Sequence, residues 1–303
     1  MSGILPLRLE FVCTKIHQNR MKQIDLKKVH MLRSLTFNLP PSKKLTTASQ
    51  ALSFVNKRGF IYFWPIKGVN LPSLWTAVAG DRPVADKHDD PGHITWGWKD
   101  AALDKKIWYY GKVLRGKATM ISLEIVPYFY ALSENYGEPE EDYLIAYREG
   151  RLSQSARQVY EALLAKGAMH TIDLRRESKL ANAKDSEFNK ALEFLQRDFK
   201  IMPVGVAQAG AWKYSHVFEI VTRHYPDLSE RARKITETQA RTKLLEMYFK
   251  MLGAAQVHDV AMLFGWEKDV LRRAIGVLVE SGTLISAEHP KNVGEWFAVK
   301  GVI

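Results

Sequence analysis

One pattern occurs twice in the C-terminal half of this 303-residue chain, and it limits the possible folds more than any other feature. In the first copy a helix-like stretch from Ser153 to Lys166 runs into Gly167-Ala168, then Asp173-Leu174, then an amphipathic stretch with Phe188, Ala191, Leu192 and Leu195. In the second, Gly253-Ala254 lead to Asp259-Val260 and on to Leu271, Ala274, Ile275 and Leu278. Each copy reads as helix, tight turn, helix, turn, third helix and a β-rich stretch, the layout of a helix-turn-helix with a wing. The expected fold class is therefore mainly α with small β-hairpins (α+β), built from tandem winged helix-turn-helix modules over 151–225 and 236–303.

Local signals mark the ends of these elements. Thr236 and Gln239 have the spacing of a capping box, in which hydroxyl and amide each satisfy a backbone N–H at the helix start. Ala240, Leu244, Met247, Tyr248 and Met251 then recur with a helical period up to Gly253, which gives one buried face. Alternation in Ile201 to Val206 and in Trp212 to Ile220, around a turn near Gly210, predicts a hairpin; Thr283 to Ser286 and Glu295 to Val299 repeat it more weakly.

The chain is long enough for two or three small domains with real cores. It has no apolar run of membrane-spanning length and no secretory signal, so a cytoplasmic protein without a membrane partner is expected. A lone cysteine, Cys13, excludes an internal disulfide framework and a cysteine-ligated zinc. The net charge of +11 calls for an anionic partner, but residues 1–50 hold nine Lys/Arg against two Asp/Glu, a net +7, which leaves +4 for the rest. That basic arm, residues 1–41, shows no clear period and is expected to be poorly ordered, at most adding unspecific phosphate contacts. Turn formers and carboxylates from Tyr136 to Asp142 mark a surface connection. Before it lies an aromatic-rich domain, 42–135, with a helix from Thr46 to Lys57, the apolar run Phe60 to Ile66 and a helix from Pro72 to Ala79; it is a candidate for a third, divergent winged helix.

The segments Ala240-Arg241, Gly253 to Trp266 and Leu271 to Ala274 resemble the C-terminal repeat of the AlkZ/YcaQ family of bacterial DNA glycosylases. Gly59 to Gly68, His88-Asp89-Asp90-Pro91-Gly92-His93 and Trp108-Tyr109-Tyr110 are similar to its AlkZ-related branch, and the resemblance spans roughly residues 42–290. It implies winged-helix domains that excise alkylated or crosslinked bases from double-stranded DNA at an open cleft, because a crosslinked base cannot swing into a closed pocket. It also implies a Gln-x-Asp or Gln-x-Gln pair that orients water and stabilises charge on the sugar. Here the matching positions are Tyr62 and Trp64. A phenol with a pKa of roughly 10 is a poor base at neutral pH and indole has no usable proton chemistry, although both rings can stack on a base.

The site residues are weighed on their own chemistry. Tyr62 and Trp64, alternating with Ile61 and Phe63, are either buried strand aromatics or a stacking surface in a DNA cleft. Asp89 or Asp90 is a candidate for a relocated carboxylate, against the alternative of loop capping. Glu124, inside the apolar run Ser122 to Pro127, is a third candidate acid if burial raises its pKa. No further ligand accompanies His88, Asp89, Asp90 and His93, so no metal or other cofactor is expected. Lys67, with Lys112, Arg115 and Lys117 around Trp108-Tyr109-Tyr110, offers phosphate contacts beside aromatic rings. The third helices offer Lys190, Arg197, Arg272 and Arg273, and the wings Lys213 and Lys291. Asp185, Glu187, Glu193 and Asp198 oppose phosphate in the first copy, which leaves a purely structural role open there. The function expected is DNA binding of the AlkZ/YcaQ type on alkylated or crosslinked DNA, by base excision with relocated groups or by lesion binding alone. The alternatives are a non-enzymatic transcriptional regulator and a protein-binding scaffold.

Overall fold

The computed structural model describes residues 22–303, and one order of elements occurs in it three times. A short strand β1 (Lys22–Gln23) and helix α1 (Leu26–Thr36) come first. The first unit has α2 (Ala48–Arg58), β2 (Phe60–Tyr62), α3 (Leu74–Ala79), α4 (Ile94–Asp100), β3 (Tyr109–Lys112) and β4 (Ala118–Ile121). After α5 (Val126–Tyr130) and α6 (Asp142–Arg148), the second has α7 (Gln154–Lys166), β5 (Met169–His170), α8 (Thr171–Glu177), α9 (Asp185–Arg197), β6 (Ile201–Ala207) and β7 (Ser215–Ile220). After α10 (Val221–His224) and α11 (Leu228–Arg233), the third has α12 (Glu237–Leu252), β8 (Ala254–Gln256), α13 (Val257–Phe264), α14 (Lys268–Glu280), β9 (Ile285–Glu288) and β10 (Trp296–Ala298). In each, the last strand lies between the other two: β2-β4-β3, β5-β7-β6 and β8-β10-β9, with β1 added to β9. The protein is thus a mixed α+β chain, mainly helical with small sheets.

The repeat has a local chemical basis. The first helix of every unit starts on a hydroxyl, Thr47, Ser153 or Thr236, whose oxygen accepts the backbone N–H three residues on, and Thr236 forms the complete capping box with Gln239. Each of these helices ends on a glycine with positive φ, Gly59 at 78°, Gly167 at 80° and Gly253 at 77°. A side chain is strained there, so the glycine turns the chain sharply into the first strand.

The first and third units share one core. Phe60 meets Phe129 and Phe264 edge-on at 5.4 and 5.8 Å, and Tyr62, Tyr248 and Phe249 are buried in the same cluster. The second unit has its own core around Val159, Leu163, Phe188 and Leu195. Ile61 and Phe63 face a further cluster, with Phe54, Leu74 and Trp108, on the other side of β2. Alternation along the strand therefore fills two cores, one on each face.

Two expectations need correction. The basic arm was expected to lack order through residue 41, yet from residue 22 onward it folds onto the third unit, while residues 1–21 lie outside the described residues. Arg33 donates to the carbonyls of Leu252 and Ala254, and the Thr36 hydroxyl to that of Met251, so the arm satisfies carbonyls left over at the end of α12. Tyr62 and Trp64 are expected to alternate with Ile61 and Phe63 along one run, but β2 ends at Tyr62. Tyr62 and Trp64 consequently do not share a face: Tyr62 lies in the shared core, and Trp64 packs against Phe63 and Trp96.

A Cβ on Gly59 would lie 2.4 Å from Met247 Cε of α12, whereas one on Gly150, also at positive φ, meets nothing within 4 Å. Gly150→Ala is expected to cost only the backbone strain, about 1–2 kcal/mol, and Gly59→Ala measurably more. Urea unfolding of the two variants measures the difference, and equal losses would mean that the contact between the units contributes nothing.

Candidate nucleic-acid interface

The equivalent surfaces of the repeat are its third helices and hairpin tips. In the second unit, Lys190 and Arg197 are exposed on α9 and Lys213 is exposed at the β6–β7 tip. In the third, Arg272 and Arg273 are exposed on α14 and Lys291 at the β9–β10 tip. Lys67, Lys112, Arg115 and Lys117 are exposed on the first unit. Two of these cations have constrained surroundings. Arg272 is paired with Asp269 and with Glu295 of its own hairpin, both at 3.0 Å, which offsets its charge. Arg115 sits at φ 53° in a turn held close to α9, where a Cβ on Gly116 would strike the Glu193 carboxylate. Arg115 and Arg197 thereby come to line one cavity of about 240 Å³, whose walls include Phe129, Phe199, Phe264 and Trp266.

The carboxylates expected to oppose phosphate on α9 are partly engaged. Asp185 pairs with Arg175, Glu187 accepts from the Ser155 hydroxyl, and Asp198 pairs with Lys200 at 2.8 Å.

Sequence reasoning missed the most exposed aromatic residue of the second unit. Trp212 is 89% exposed in the turn between β6 and β7, next to Lys213 at φ 49°. The sequence placed it at the start of a strand; β7 begins only at Ser215. The signal was its position directly after Gly210-Ala211, inside the turn rather than beyond it.

This hairpin is fastened to the first unit by a lysine that sequence reasoning also missed. The Lys99 side chain is fully buried, and its ammonium donates to Asp100, to the Tyr214 hydroxyl at 2.9 Å and to His216 Nε2 at 3.2 Å. The rings of Trp96 and Tyr110 lie 5.0 and 5.1 Å from it. All three N–H donors are used, and the rings add cation–π attraction. Burial, and then the neighbouring Lys99 charge, hold the His216 pKa down at about 4, so the ring is neutral and its lone pair can accept. Burial likewise lowers the Lys99 pKa, which the Asp100 carboxylate opposes. The run Trp96-Gly97-Trp98-Lys99-Asp100 gave a hint, a cation among aromatics, but its partners lie more than 100 residues away.

For several other candidates the structure takes the plainer of the alternatives weighed. Tyr62 is fully buried, its hydroxyl 3.4 Å from the Leu114 carbonyl, and burial pushes its pKa up to about 12. It cannot stack on a base. Trp64 is partly buried, with its indole N–H enclosed and unpartnered. Asp90 caps the turn at Gly92 and pairs with Arg82 at 2.6 Å; the hydrogen bond from Arg82 holds its carboxyl below the usual range. It thus takes the capping role rather than that of a free catalytic base. Glu124 is exposed on the turn after β4, so the burial expected to perturb it is absent; Asp89 is also exposed. Asp89 and Asp90 share one loop and Glu124 lies in another, and His93 binds the Ala85 carbonyl at 2.9 Å. Among the described residues no three His, Cys, Asp or Glu side chains gather for a metal ion, and no helix is long and apolar enough to cross a membrane.

Three similar units, packed on one another and each carrying exposed cations, define a modular α+β protein. The family model described as AlkZ related matches residues 45–265, and the chain belongs to that family. Among solved structures it is similar to the Streptomyces sahachiroi DNA glycosylase AlkZ, with a TM-score of 0.56 and 13% sequence identity over 92% of this chain and 70% of that one. That likeness establishes a common fold. No curated protein sequence matches the chain.

The Lys99 fastening has a measurable energy. Lys99→Ala leaves Asp100 and its ring neighbours around an empty buried site and is expected to cost about 3–5 kcal/mol, whereas Lys99→Met, which keeps the volume but leaves Asp100 just as unpaired, recovers only the packing part of that loss. The pH dependence follows from His216. Unfolded, it titrates near 6.5, and folded near 4. As pH falls from 6.5 towards 4 the unfolded chain takes up a proton that the folded chain refuses, so stability is lost across that window, by about 3 kcal/mol at its acid end. Above 6.5 the residue contributes no slope. Urea unfolding at stepped pH measures this, and His216→Gln is expected to flatten the curve.

Proposed function

We propose that the three repeated units are winged helices and that the chain binds double-stranded DNA across them, preferring duplexes that carry alkylated bases. The observation that carries this reading is the recurrence of exposed cations at equivalent places: Lys190 and Arg197 on one third helix with Lys213 on its hairpin, and Arg273 on another with Lys291 on its hairpin. Lys67, Lys112, Arg115 and Lys117 extend the set to the first unit. Contacts of this kind position a duplex through its phosphates and carry no sequence information. Trp212 adds an exposed indole between them, suited to stacking on a base that has lost its neighbour or partner.

Membership of the AlkZ-related family and the likeness to a DNA glycosylase support damaged DNA as the target over an intact regulatory sequence. A protein-binding scaffold would have no use for cations at repeated positions. Excision by this chain uses groups other than the family's pair, because Tyr62 at the first motif position is packed in the core and Trp64 at the second has no basic atom. Of the sequence candidates, Asp89 and Glu124 are the ones left exposed and outside a turn cap.

A duplex containing 7-methylguanine, incubated with excess protein and then heated in alkali, is expected to break at the lesion. Affinity for it should exceed that for the unmodified duplex and fall linearly with the logarithm of salt concentration. Trp212→Ala should weaken it about 5- to 150-fold, the value of one base–aromatic stack. Preference for the lesion without strand breakage means lesion binding alone; neither preference nor breakage overturns the reading.

A further inference from the structure

A second cavity, of about 260 Å³, lies where α1, α12, the start of α13 and the β9–β10 hairpin meet the loop that follows the motif strand of the first unit. Its walls are chemically mixed. Tyr248 and Trp296 supply rings, the latter stacked on His289 at 4.4 Å, and Asn70, Gln256 and Asn292 supply amides. Two charged groups of opposite sign, Arg33 and Asp259, complete it.

The two charges do not satisfy each other. Arg33 uses two nitrogens on the carbonyls of Leu252 and Ala254, and Asp259 acts on it only through space, with no ion pair between them among the described residues. Asp259 is exposed and makes no hydrogen bond to another described side chain. The Trp296 indole N–H is buried without a partner, which is costly unless something accepts from it. Gly294 is required nearby, since a Cβ there would lie 1.8 Å from the Gln256 amide, so the hairpin is held close to this wall.

An inorganic anion does not fit this set, because the Asp259 carboxylate repels it. A simple cation does not fit either, because Arg33 repels it. A neutral planar ring with donors on one edge and acceptors on another satisfies both. Guanine has that pattern: its N1–H and N2–H₂ match a carboxylate bidentately, and its O6 and N7 accept from N–H donors. Adenine presents a bare N1 acceptor where guanine has N1–H, which would face the carboxylate unpaired.

We propose that this cavity is a binding site for a guanine-type base, with Asp259 reading its N1–H/N2–H₂ edge and the Trp296 N–H and neighbouring amides its acceptor edge. That the base arrives everted from a duplex rests on the function proposed above; the site itself does not. The β9–β10 tip, with Lys291 and Asn292, stands at the mouth and can hold the attached phosphate and sugar. The motif strand reaches the same region, since Tyr62 is buried in one cluster with Tyr248 of the cavity wall.

The test follows the indole N–H signals of the eight tryptophans in the full chain by NMR, Trp296 being assigned through Trp296→Phe. Guanosine is expected to move the Trp296 signal saturably and to bind at least about tenfold more tightly than adenosine, the value of a bidentate pair. Asp259→Asn, isosteric and on an exposed position, should erase that preference while the spectrum of the folded chain persists. Inorganic phosphate alone should leave the signal unmoved. No response to guanosine at millimolar concentration overturns the proposal, as does equal affinity for adenosine, an unchanged preference in Asp259→Asn, or a response to phosphate alone. Failure of the duplex reading appears elsewhere, as loss of duplex binding with the guanosine response intact.

Discussion

A unit of three short helices and a hairpin buries too little apolar surface to be firmly stable alone, and the structure depends on how its units share what they bury. The ring cluster of Phe60, Phe129 and Phe264 is the clearest case. Phe60 comes from the first strand of the first unit, Phe264 from the second helix of the third, and Phe129 from the connector between units. None of the three elements can shift without opening a gap beside the other two. The second unit keeps a core of its own, lends Phe199 and Met202 to the shared cluster, where Phe199 meets Tyr109 and Phe129, and is attached besides by polar and cation–π contacts at Lys99. Both joints are apolar, and that of the second unit adds a directional polar contact.

That difference bears on what each unit can do. The third unit, with α1 and β1 laid against it, is fixed to the first, so the cavity between them keeps its shape. The second unit presents its hairpin tip from a base fastened only two residues away, at Tyr214. Trp212 is exposed but not loose, because Lys213 in the left-handed region and Tyr214 on Lys99 set the course of the chain beside it. Holding an exposed ring in place before binding lowers the ordering cost on contact.

Much of the repeat was legible in the sequence, because it depends on local chemistry. A hydroxyl before the helix, a glycine after it and an apolar stripe between are short-range signals, and Ser153, Gly167, Thr236 and Gly253 carry them plainly. The first unit was less legible. Thr47 and Gly59 give the same signals, but its strand is only three residues long and loops separate its second and third helices from it. What the sequence could not disclose was long-range pairing. Nothing near Lys99 names Tyr214 or His216, nothing near Arg33 names Leu252, and the distance between Asp259 and the arm is almost the whole chain. The same limit explains the candidate site: exposure could be guessed for cations on amphipathic helices, whereas the fate of Tyr62, Asp90 and Glu124 turned on neighbours from other elements.

The motif strand carries the chemical consequence. An amide or acid at position 62 would have to be buried between two cores, with a hydrogen bond for every polar atom, and such groups are kept there only at a cost. Tyr62 removes that cost by filling the space with a ring and placing its one hydroxyl at a carbonyl. The ring leaves no reactive group on that buried face of the strand. The described structure puts a carboxylate free of ion pairs, three amides and an enclosed indole N–H at the opposite end of α13 from Phe264, beside Tyr248, which packs in one cluster with that tyrosine. A helix of eight residues thus links the shared core at one end to a polar chamber at the other.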